Sequence, residues 1–339
     1  MADDGVVWEQ RWHPLRGEWV LFTSHRGGRP WVGQTHPPAS TQVPAYDPAC
    51  ALCPGNRRLS TRNANYTGTY WFTNDLPPFA AVAPPATDSD DIYRRRPARG
   101  TAEVICYHPD HSRTLALLSA DEIAAVVEVW RARTRALASH PDVNHVLIFE
   151  NQGALVGTSN PHPHCQLYAS DLVYGHTARH ERMARAHFER TGTHLGQAIV
   201  ERERTREVAR TEAYMACVPW FAQFAYEVYV LPLRPMASLL DVDDCLALAS
   251  ILREVVIRYD NLWQMRMPYV MAVHQAPTDG AAYPWFPFHI VFHPPLRTPD
   301  TLKYLAGPEI GGGSMTNESD PNARAAELRA LSAVRYHER

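Results

Sequence analysis

Two histidines separated by a single proline offer the clearest chemistry in this chain. His162 and His164 lie in the run Gly-Thr-Ser-Asn-Pro-His-Pro-His-Cys-Gln at residues 157–166. Residues two apart in an extended segment point to the same side, so both imidazoles should face one site. One ring can bind a metal or orient the site while the other attacks as a nucleophile. The small polar residues before the pair can present N–H groups and hydroxyls to an anion, and the segment therefore predicts a nucleophilic histidine facing a phosphate.

A pair of cysteines, Cys50-x-x-Cys53, is the second group with possible chemistry. A CxxC pair alone is compatible with redox chemistry, with a metal site or with coincidence. Two thiolates from a tight turn suit tetrahedral zinc when two imidazoles from elsewhere join them.

The composition excludes several classes of function. The chain has 339 residues, of which 45% are hydrophobic, enough for one large domain or two smaller halves with substantial cores. Its net charge is −3 and its only basic run is residues 94–96, so no nucleic-acid partner is expected. No apolar run reaches the roughly 20 residues of a membrane span, and residues 1–4 do not resemble a signal peptide. We therefore expect a cytoplasmic chain with no membrane partner.

Alternating strands and helices must position the histidine pair and the cysteine pair. Helical spacing predicts one helix over residues 119–140, where Ser119 and Glu122 form a capping box, and another over residues 241–263. Apolar or alternating runs predict strands at residues 19–22, 102–107 and 145–149. The order strand, long helix, strand and histidine-rich strand occurs around residues 102–168 and recurs around residues 226–293, which indicates an internal repeat.

The motif around His164 extends well beyond a His-x-His that could be a solvated strand edge. Residues 149–154 and 159–166 closely resemble the active-site signature of the hexose-1-phosphate uridylyltransferases, the galactose-1-phosphate uridylyltransferase branch of the histidine-triad superfamily. In that branch glutamine replaces the third histidine of the triad, and Gln166 stands at that position. Further segments match family blocks in family order: residues 24–31, 47–56, 66–70, 72–75, 104–106 and 109–112.

The resemblance implies an α+β fold in which two histidine-triad-like repeats form a mostly antiparallel sheet flanked by helices. The first half, residues 1–175, should contain the nucleophile and a zinc site, and the second, residues 176–339, a sugar-binding segment. The family's substrates are a UDP-sugar and a hexose 1-phosphate, and its members commonly form homodimers.

The activity that the resemblance implies is exchange of UMP between UDP-glucose and a hexose 1-phosphate, with galactose 1-phosphate as the expected acceptor. His164 should attack the α-phosphorus and form a uridylyl-histidine, which the second hexose 1-phosphate then discharges. Gln166 and Ser159 should hold the non-bridging oxygens, and Arg26 and Arg29 should neutralise phosphate charge.

Family positions also imply a nucleotide pocket and a sugar site. Phe72 and Phe149 could instead be core residues, since each is a single aromatic. The implied nucleotide- and phosphate-binding residues are Arg26, Arg29, Ala51, Leu52, Phe72, Asn74, Asp75, Phe149, Glu150, Asn151, Gly157, Thr158 and Asn160. The implied sugar-binding residues are Lys303, Tyr304, Ala306 and Glu309. Lys303 is the only lysine of the chain, while Pro308 and residues 311–315 depart from the family pattern.

The resemblance places His111 and His162 with the cysteines, so Cys50, Cys53, His111 and His162 should form a closed, structural zinc site. His108 is a rival ligand that does not match the family pattern. A second iron or zinc site in the family would use His274, His289 and either His180 or Glu181 here. Val291 replaces its remaining histidine and His293 could substitute only if the strand bends, so we expect this second site to be empty or weak.

Two alternatives remain open from the sequence. A protein of the same fold could be a nucleoside-diphosphate-sugar phosphorylase or an adenylyltransferase, which the altered sugar segment permits. A non-catalytic nucleotide-binding scaffold is the other alternative, and the intact His164 and Gln166 argue against it.

Overall fold

The computed structural model describes residues 8–28, 33–36, 43–85 and 90–338. In chain order, its strands and helices are β1 (Glu9–His13), β2 (Glu18–Phe22), β3 (Tyr70–Thr73), β4 (Gly100–Cys106), α1 (Ala120–Ala138), β5 (His145–Gln152), β6 (His164–Ser170), α2 (Gly175–Thr191), α3 (Leu195–Arg202), β7 (Glu207–Arg210), β8 (Tyr214–Cys217), β9 (Val228–Pro232), α4 (Cys245–Trp263), β10 (Tyr269–His274), β11 (His289–His293), β12 (Leu296–Thr298), β13 (Thr301–Leu302), β14 (Thr316–Asn317) and α5 (Pro321–Ala330). Among these described helices, none is both long enough and apolar enough to cross a membrane.

A large antiparallel sheet organises the described chain. Its strand order is β3-β4-β6-β5-β10-β11-β9-β8-β7. The order β3-β4-β6-β5 is mirrored by β8-β9-β11-β10, so β5 and β10 join two equivalent parts, with Phe149 opposite Ala272. A smaller sheet pairs β1 with β2, and β14 lies parallel to β2. The predicted α+β fold with a mostly antiparallel sheet is confirmed.

The main apolar core lies between one face of the large sheet and helices α1 and α4. Trp130 of α1 and Leu252 of α4 are fully buried there, together with Cys165 and Leu167 of β6. Side chains alternate along a strand, so residues 164 and 166 of β6 face the opposite side from this core. The core therefore anchors β6 from behind and leaves its other face for the site.

Helix α1 begins where the sequence predicts, and α4 begins later. The backbone N–H of Glu122 donates to Ser119 Oγ at 3.1 Å and the Ser119 N–H donates to the Glu122 carboxylate at 2.7 Å, which confirms the capping box. Helix α4 was predicted from residue 241, but it begins at Cys245 because Asp244 accepts two backbone N–H groups of its first turn. Asp241 instead ends a short 3-10 turn before the helix, where its carboxylate accepts the backbone N–H of the N-cap residue Ser238 at 3.0 Å.

Gly100 at the start of β4 should be essential for the pairing of β4 with β6. Its φ is +146°, and a Cβ there would lie 2.2 Å from the Ala169 carbonyl oxygen. We expect Gly100→Ala to lower the free energy of unfolding by about 2 kcal/mol or more, because the backbone of β6 would have to move. Gly192 is the matched control: its φ is +70° but the space around its Cβ position is open. Gly192→Ala should lower the free energy of unfolding, measured by urea denaturation, by about 1 kcal/mol. Equal losses of unfolding free energy in the two variants would contradict the role given to Gly100.

Candidate active site and metal centres

His164 is held as a neutral imidazole with one ring nitrogen available. It is the first residue of β6, whose backbone pairs with β4 on one side and β5 on the other. Its Nδ1–H donates to the carbonyl oxygen of His162 at 2.7 Å, which leaves the lone pair on Nε2. Burial lowers the pKa of His164, and the hydrogen bond to the carbonyl opposes this only in part. At neutral pH the ring is therefore unprotonated at Nε2 and can act as a nucleophile.

A narrow cavity opens at His164 and gathers many of the residues predicted from the sequence. Gly157, with a φ of +78°, turns the chain after a short 3-10 turn and brings residues 157–159 to the cavity. The Thr158 hydroxyl donates to the Asn151 carbonyl and ties this loop to the end of β5. The lining residues are Phe149, Asn151, Gly157, Thr158, Ser159, His164 and Gln166.

Two residues predicted for the nucleotide pocket do not line this cavity. Asn160 lies beside the cysteine pair, where its Oδ1 accepts the His162 backbone N–H at 2.9 Å and lies 3.3 Å from Cys50 Sγ. Glu150 is 1% exposed and bonded to tyrosines within the sheet. Glu150 was predicted to belong to the nucleotide pocket, but side chains alternate along a strand, so its side chain points away from those of Phe149 and Asn151.

The remaining predicted nucleotide residues lie around β3 and the cysteine loop. Phe72 packs in an apolar cluster with Leu52 and the two cysteines of the CxxC pair, and the Arg58 guanidinium lies 3.6 Å above its ring. The Asp75 carboxylate accepts the Leu59 backbone N–H at 3.1 Å and the Ser60 hydroxyl at 2.8 Å. Asn74 Oδ1 caps the following turn by accepting a backbone N–H at 3.0 Å. Like Ala51, these residues are outside the lining of the His164 cavity.

Cys50, Cys53, His111 and His162 form a buried cluster that could bind a metal ion. Their ligand atoms all lie within 4.8 Å of one another. Cys53 Sγ lies 3.5 Å from Nδ1 of each histidine. The His162 Nε2–H donates to the His108 carbonyl at 2.9 Å, so Nδ1 carries the lone pair toward the cysteines. Burial lowers the pKa of His162 to about 4, which keeps the ring in the form that a metal requires.

The structure excludes His108 as a ligand of this cluster. Its Nδ1 accepts the Asp110 backbone N–H at 3.0 Å, and its Nε2 lies 3.5 Å from the Glu122 carboxylate. Only its carbonyl serves the cluster, through His162.

Three more histidines, His180, His274 and His289, meet in a second buried cluster. Their ligand nitrogens lie within 4.8 Å of one another, and each ring is at most 5% exposed. Burial lowers the pKa of all three, so all are neutral at pH 7. His289 Nδ1–H donates to the Pro287 carbonyl at 2.6 Å, while its Nε2 and both His180 nitrogens have no partner among the described residues.

The sequence left two questions about this histidine cluster: whether His180 or Glu181 belongs to it, and whether His293 replaces the missing ligand. Glu181 accepts the Trp285 indole N–H at 3.2 Å and lies 3.5 Å from Arg185, so His180 and not Glu181 joins the cluster. His293 bonds Glu227 at 3.1 Å and does not replace the missing ligand. Val291 is buried in an apolar cluster.

The predicted sugar segment lines a different cavity, of about 570 Å³. Lys303 Nζ lies 3.1 Å from Glu309, which also accepts the backbone N–H groups of Ala306 and Thr316. Arg26 lines this cavity with the segment, and its Nε lies 3.7 Å from Glu318. Tyr304 lines it as well, whereas Arg29 lies outside the described residues. Arg297 and Arg324 complete its basic lining and were missed from the sequence, because neither lies in a recognisable motif.

The two cavities have no lining residue in common. The structure thus brings Arg26 together with Lys303 and Glu309, and brings Ser159 and Gln166 together with His164. Within the described part of one chain, the predicted sugar residues do not line the cavity of the predicted nucleophile.

Comparisons with known proteins agree with this architecture. The family model for the galactose-1-phosphate uridyl transferase N-terminal domain matches residues 2–173, and that for the C-terminal domain matches residues 168–339. The galactose-1-phosphate uridylyltransferase of Haemophilus influenzae is 39% identical and covers 97% of this chain and 96% of its own. That of Rattus norvegicus is 36% identical, with 96% and 88% covered.

Solved structures show the same fold. A uridylyltransferase structure is 25% identical, with 96% of this chain and 98% of that chain covered and a TM-score of 0.78. An ADP-glucose phosphorylase from Arabidopsis thaliana with bound ADP-glucose is 20% identical and shares the fold over 96% of this chain and all of that chain, with a TM-score of 0.79. Together with the curated relatives, these findings define the protein as a transferase. The chain belongs to the galactose-1-phosphate uridyl transferase family.

Loss of one thiol should release metal from the cluster of two cysteines and two histidines. Purified protein should contain about one divalent ion per chain at this site, and Cys53→Ser should reduce that content to near zero and lower the melting temperature. Cys217→Ser is the matched control, because Cys217 is equally buried but lies on β8 away from the cluster. It should retain the metal in elemental analysis. Equal metal contents in the two variants would contradict the assignment.

Proposed function

We propose that this protein exchanges UMP between UDP-glucose and a hexose 1-phosphate, with galactose 1-phosphate as the expected acceptor, by a double displacement through His164. The observation that carries the proposal is the geometry of His164. Its Nδ1–H is bound to the His162 carbonyl, and its cavity is lined by Ser159 and Gln166. The curated relatives named above support the choice of substrates.

The first displacement transfers UMP to the enzyme. The Nε2 lone pair of His164 forms a bond to the α-phosphorus while the bond to the oxygen of glucose 1-phosphate breaks, and the leaving group departs with that electron pair. The Nδ1–H bond to the His162 carbonyl stabilises the positive charge that develops on the ring. The Gln166 amide and the Ser159 hydroxyl donate to the non-bridging oxygens. In the second displacement a phosphate oxygen of the acceptor attacks, and the electron pair returns to Nε2.

The proposed nucleotide site combines the His164 cavity with the residues around β3. Ala51 and Leu52 lie within the cysteine loop, Phe72 packs against it, and Asn74 and Asp75 follow β3. Asn160 connects the loop to the His162 segment. A carboxylate such as Asp75 suits ribose hydroxyls. The Gly157 N–H already donates to the Ala154 carbonyl at 3.0 Å, so Gly157 contributes the turn and Thr158 a backbone N–H near the phosphate.

The cluster of two cysteines and two histidines is proposed to bind zinc. Two thiols and two neutral imidazoles in a buried set match tetrahedral zinc better than harder cations. Four protein ligands leave no open position, so the metal would hold His162, and with it the start of β6, in place. Zinc there would supply structural stability.

The three-histidine cluster is proposed to bind a metal more weakly or not at all. Its unpartnered nitrogens could serve as ligands, but His180, His274 and His289 bring no negative charge. Val291 stands where a further ligand would be needed, so this cluster offers three protein ligands against four in the cluster of cysteines and histidines.

We further propose a cytoplasmic homodimer. All six cysteines are free thiols, as expected in a reducing compartment. The dimer is supported by the separation of Arg26, Lys303 and Glu309 from the His164 cavity. If one UDP-sugar contacts both sets of residues, they must come from two copies of the chain.

The covalent step has a direct test. Incubation with UDP-glucose alone should form an acid-labile, base-stable uridylyl adduct on His164 and release glucose 1-phosphate. Because the pKa of His164 is lowered, the nucleophile stays neutral and the adduct should still form at pH 6.5, the ordinary value for histidine. His164→Ala should form none, and Gln166→Ala should form it about 100-fold more slowly.

The control for that experiment is His187→Ala, which removes a histidine of α2 whose ring hydrogen-bonds Thr193 and Arg190 and does not line the His164 cavity. An adduct that survives in His164→Ala would rule the transferase mechanism out. Discharge by inorganic phosphate to release UDP, or a preference for ADP-glucose, would favour the phosphorylase or adenylyl alternative.

The homodimer predicts complementation between two inactive variants. His164→Ala lacks the nucleophile, and Arg26→Ala lacks a residue of the other cavity, where its side chain is 42% exposed. Mixed dimers formed by coexpression should contain one intact site, so the mixture should recover up to about a quarter of wild-type exchange activity. No recovery, or a monomer by sedimentation, would contradict the shared site.

A further inference from the structure

One buried carboxyl group has no charged partner. Glu150 of β5 is 1% exposed, and its Oε2 accepts the hydroxyls of Tyr107 at 3.0 Å and Tyr269 at 3.3 Å. Its Oε1 has no partner among the described residues. The titratable groups that face it are those two tyrosines and Cys165, from the end of β4, from β10 and from β6. No described arginine, lysine or histidine forms an ion pair with it.

Burial without a cation favours the protonated acid. It raises the pKa of Glu150 to about 8, and the two tyrosine hydrogen bonds lower it only in part. A proton on Oε1 leaves Oε2 free to accept both hydroxyls. Glu103 of β4, by contrast, is buried together with a cation: it is 3% exposed and accepts two hydrogen bonds from Arg133, at 2.9 and 2.7 Å.

Glu150 is connected to the nucleophile by two short paths. Its chain neighbours Phe149 and Asn151 line the His164 cavity. Tyr107, whose hydroxyl it accepts, donates its own backbone N–H to the Pro163 carbonyl at 3.1 Å. Pro163 is the link between His162 and His164, so one carboxyl group fixes both a wall of the cavity and the segment that carries the nucleophile.

We propose that Glu150 is a positioning residue that works as a neutral carboxylic acid, holding Tyr107 and β5 so that His164 faces its cavity. Ionisation would leave a buried negative charge on a carboxylate whose Oε1 has no hydrogen-bond donor. Water could reach that oxygen only if the strands separated. The working geometry of His164 then depends on Glu150 keeping its proton. This inference rests on the proposed role of His164 and adds to it the residue that sets its alkaline limit.

The test compares the pH profile of adduct formation in wild type and in Glu150→Gln, a neutral side chain of the same shape. With UDP-glucose as substrate, the wild-type rate should fall about tenfold by one pH unit above the titration point near 8, as expected for one essential proton. Glu150→Gln should be active at pH 7 and lose this alkaline limb. Tyr269→Phe removes one donor to the ionised form, so it should move the limb to higher pH.

Melting curves provide a readout that does not require activity. The folded pKa lies above the ordinary value of 4.5, so Glu150 favours the folded state at low pH and loses that advantage as the pH rises to about 8. Glu150→Gln should therefore gain in melting temperature relative to wild type between these values and level off above them. Glu103→Gln, which breaks an ion pair, should be less stable than wild type at pH 7.

Four outcomes would count against the proposal or against the function on which it rests. An alkaline limb unchanged in Glu150→Gln, or a loss of activity in that variant at every pH, would overturn the positioning role. A melting difference that does not vary with pH would show that Glu150 is ionised in the folded protein. Absence of any adduct in wild type would instead remove the proposed function, while the melting comparison would still decide the state of Glu150.

Discussion

The path of the backbone from His162 to His164 is the constraint on which the rest of the site depends. Three hydrogen bonds hold this segment. The His162 carbonyl accepts the Nδ1–H of His164, the Pro163 carbonyl accepts the Tyr107 N–H, and the Nε2–H of His162 donates to the His108 carbonyl. These bonds determine which nitrogen of each ring carries a lone pair. His162 therefore directs its lone pair to the cysteines, and His164 directs its own to the cavity. The proposed metal binding and the proposed nucleophilic attack would thus fall to two histidines separated by one proline.

The two equivalent parts of the sheet place similar histidines in different surroundings. His289 begins β11 as His164 begins β6, and each donates Nδ1–H to the carbonyl two residues earlier. The residue two further on is Gln166 in the first strand and Val291 in the second. Around His289 the neighbours are the rings of His180, His274 and Tyr229, and Val291 is buried in an apolar cluster. The second part therefore keeps the histidine with its hydrogen bond to the backbone but has valine where the first part has Gln166.

Local patterns predicted most strands and helices well, whereas the four residues of the metal cluster were grouped by the family resemblance. The capping box set the start of α1. The prediction that His162 and His164 face one site was wrong, because His162 joins the cysteine cluster and His164 lines the cavity. Alternation of side chains along a strand could have shown that Glu150 faces away from Phe149 and Asn151. Glu150 was assigned to the nucleotide pocket because its family position was carried over without that check. The start of α4 was misplaced because Asp241 and Asp244 can both accept backbone N–H groups at a helix start: Asp244 caps α4, and Asp241 belongs to the preceding 3-10 turn. The grouping of Arg26 with Lys303 depends on β14 pairing with β2 from the other end of the chain, which no local pattern reports.

In the proposed reaction His164 attacks through Nε2 because the His162 carbonyl holds Nδ1–H. Nuclear magnetic resonance of protein labelled with ¹⁵N in histidine, recorded after reaction with UDP-glucose, reports which nitrogen is bonded to phosphorus. We expect coupling between phosphorus and Nε2 of His164, with Nδ1 still protonated. Coupling to Nδ1 of His164, or to any other histidine, would contradict it.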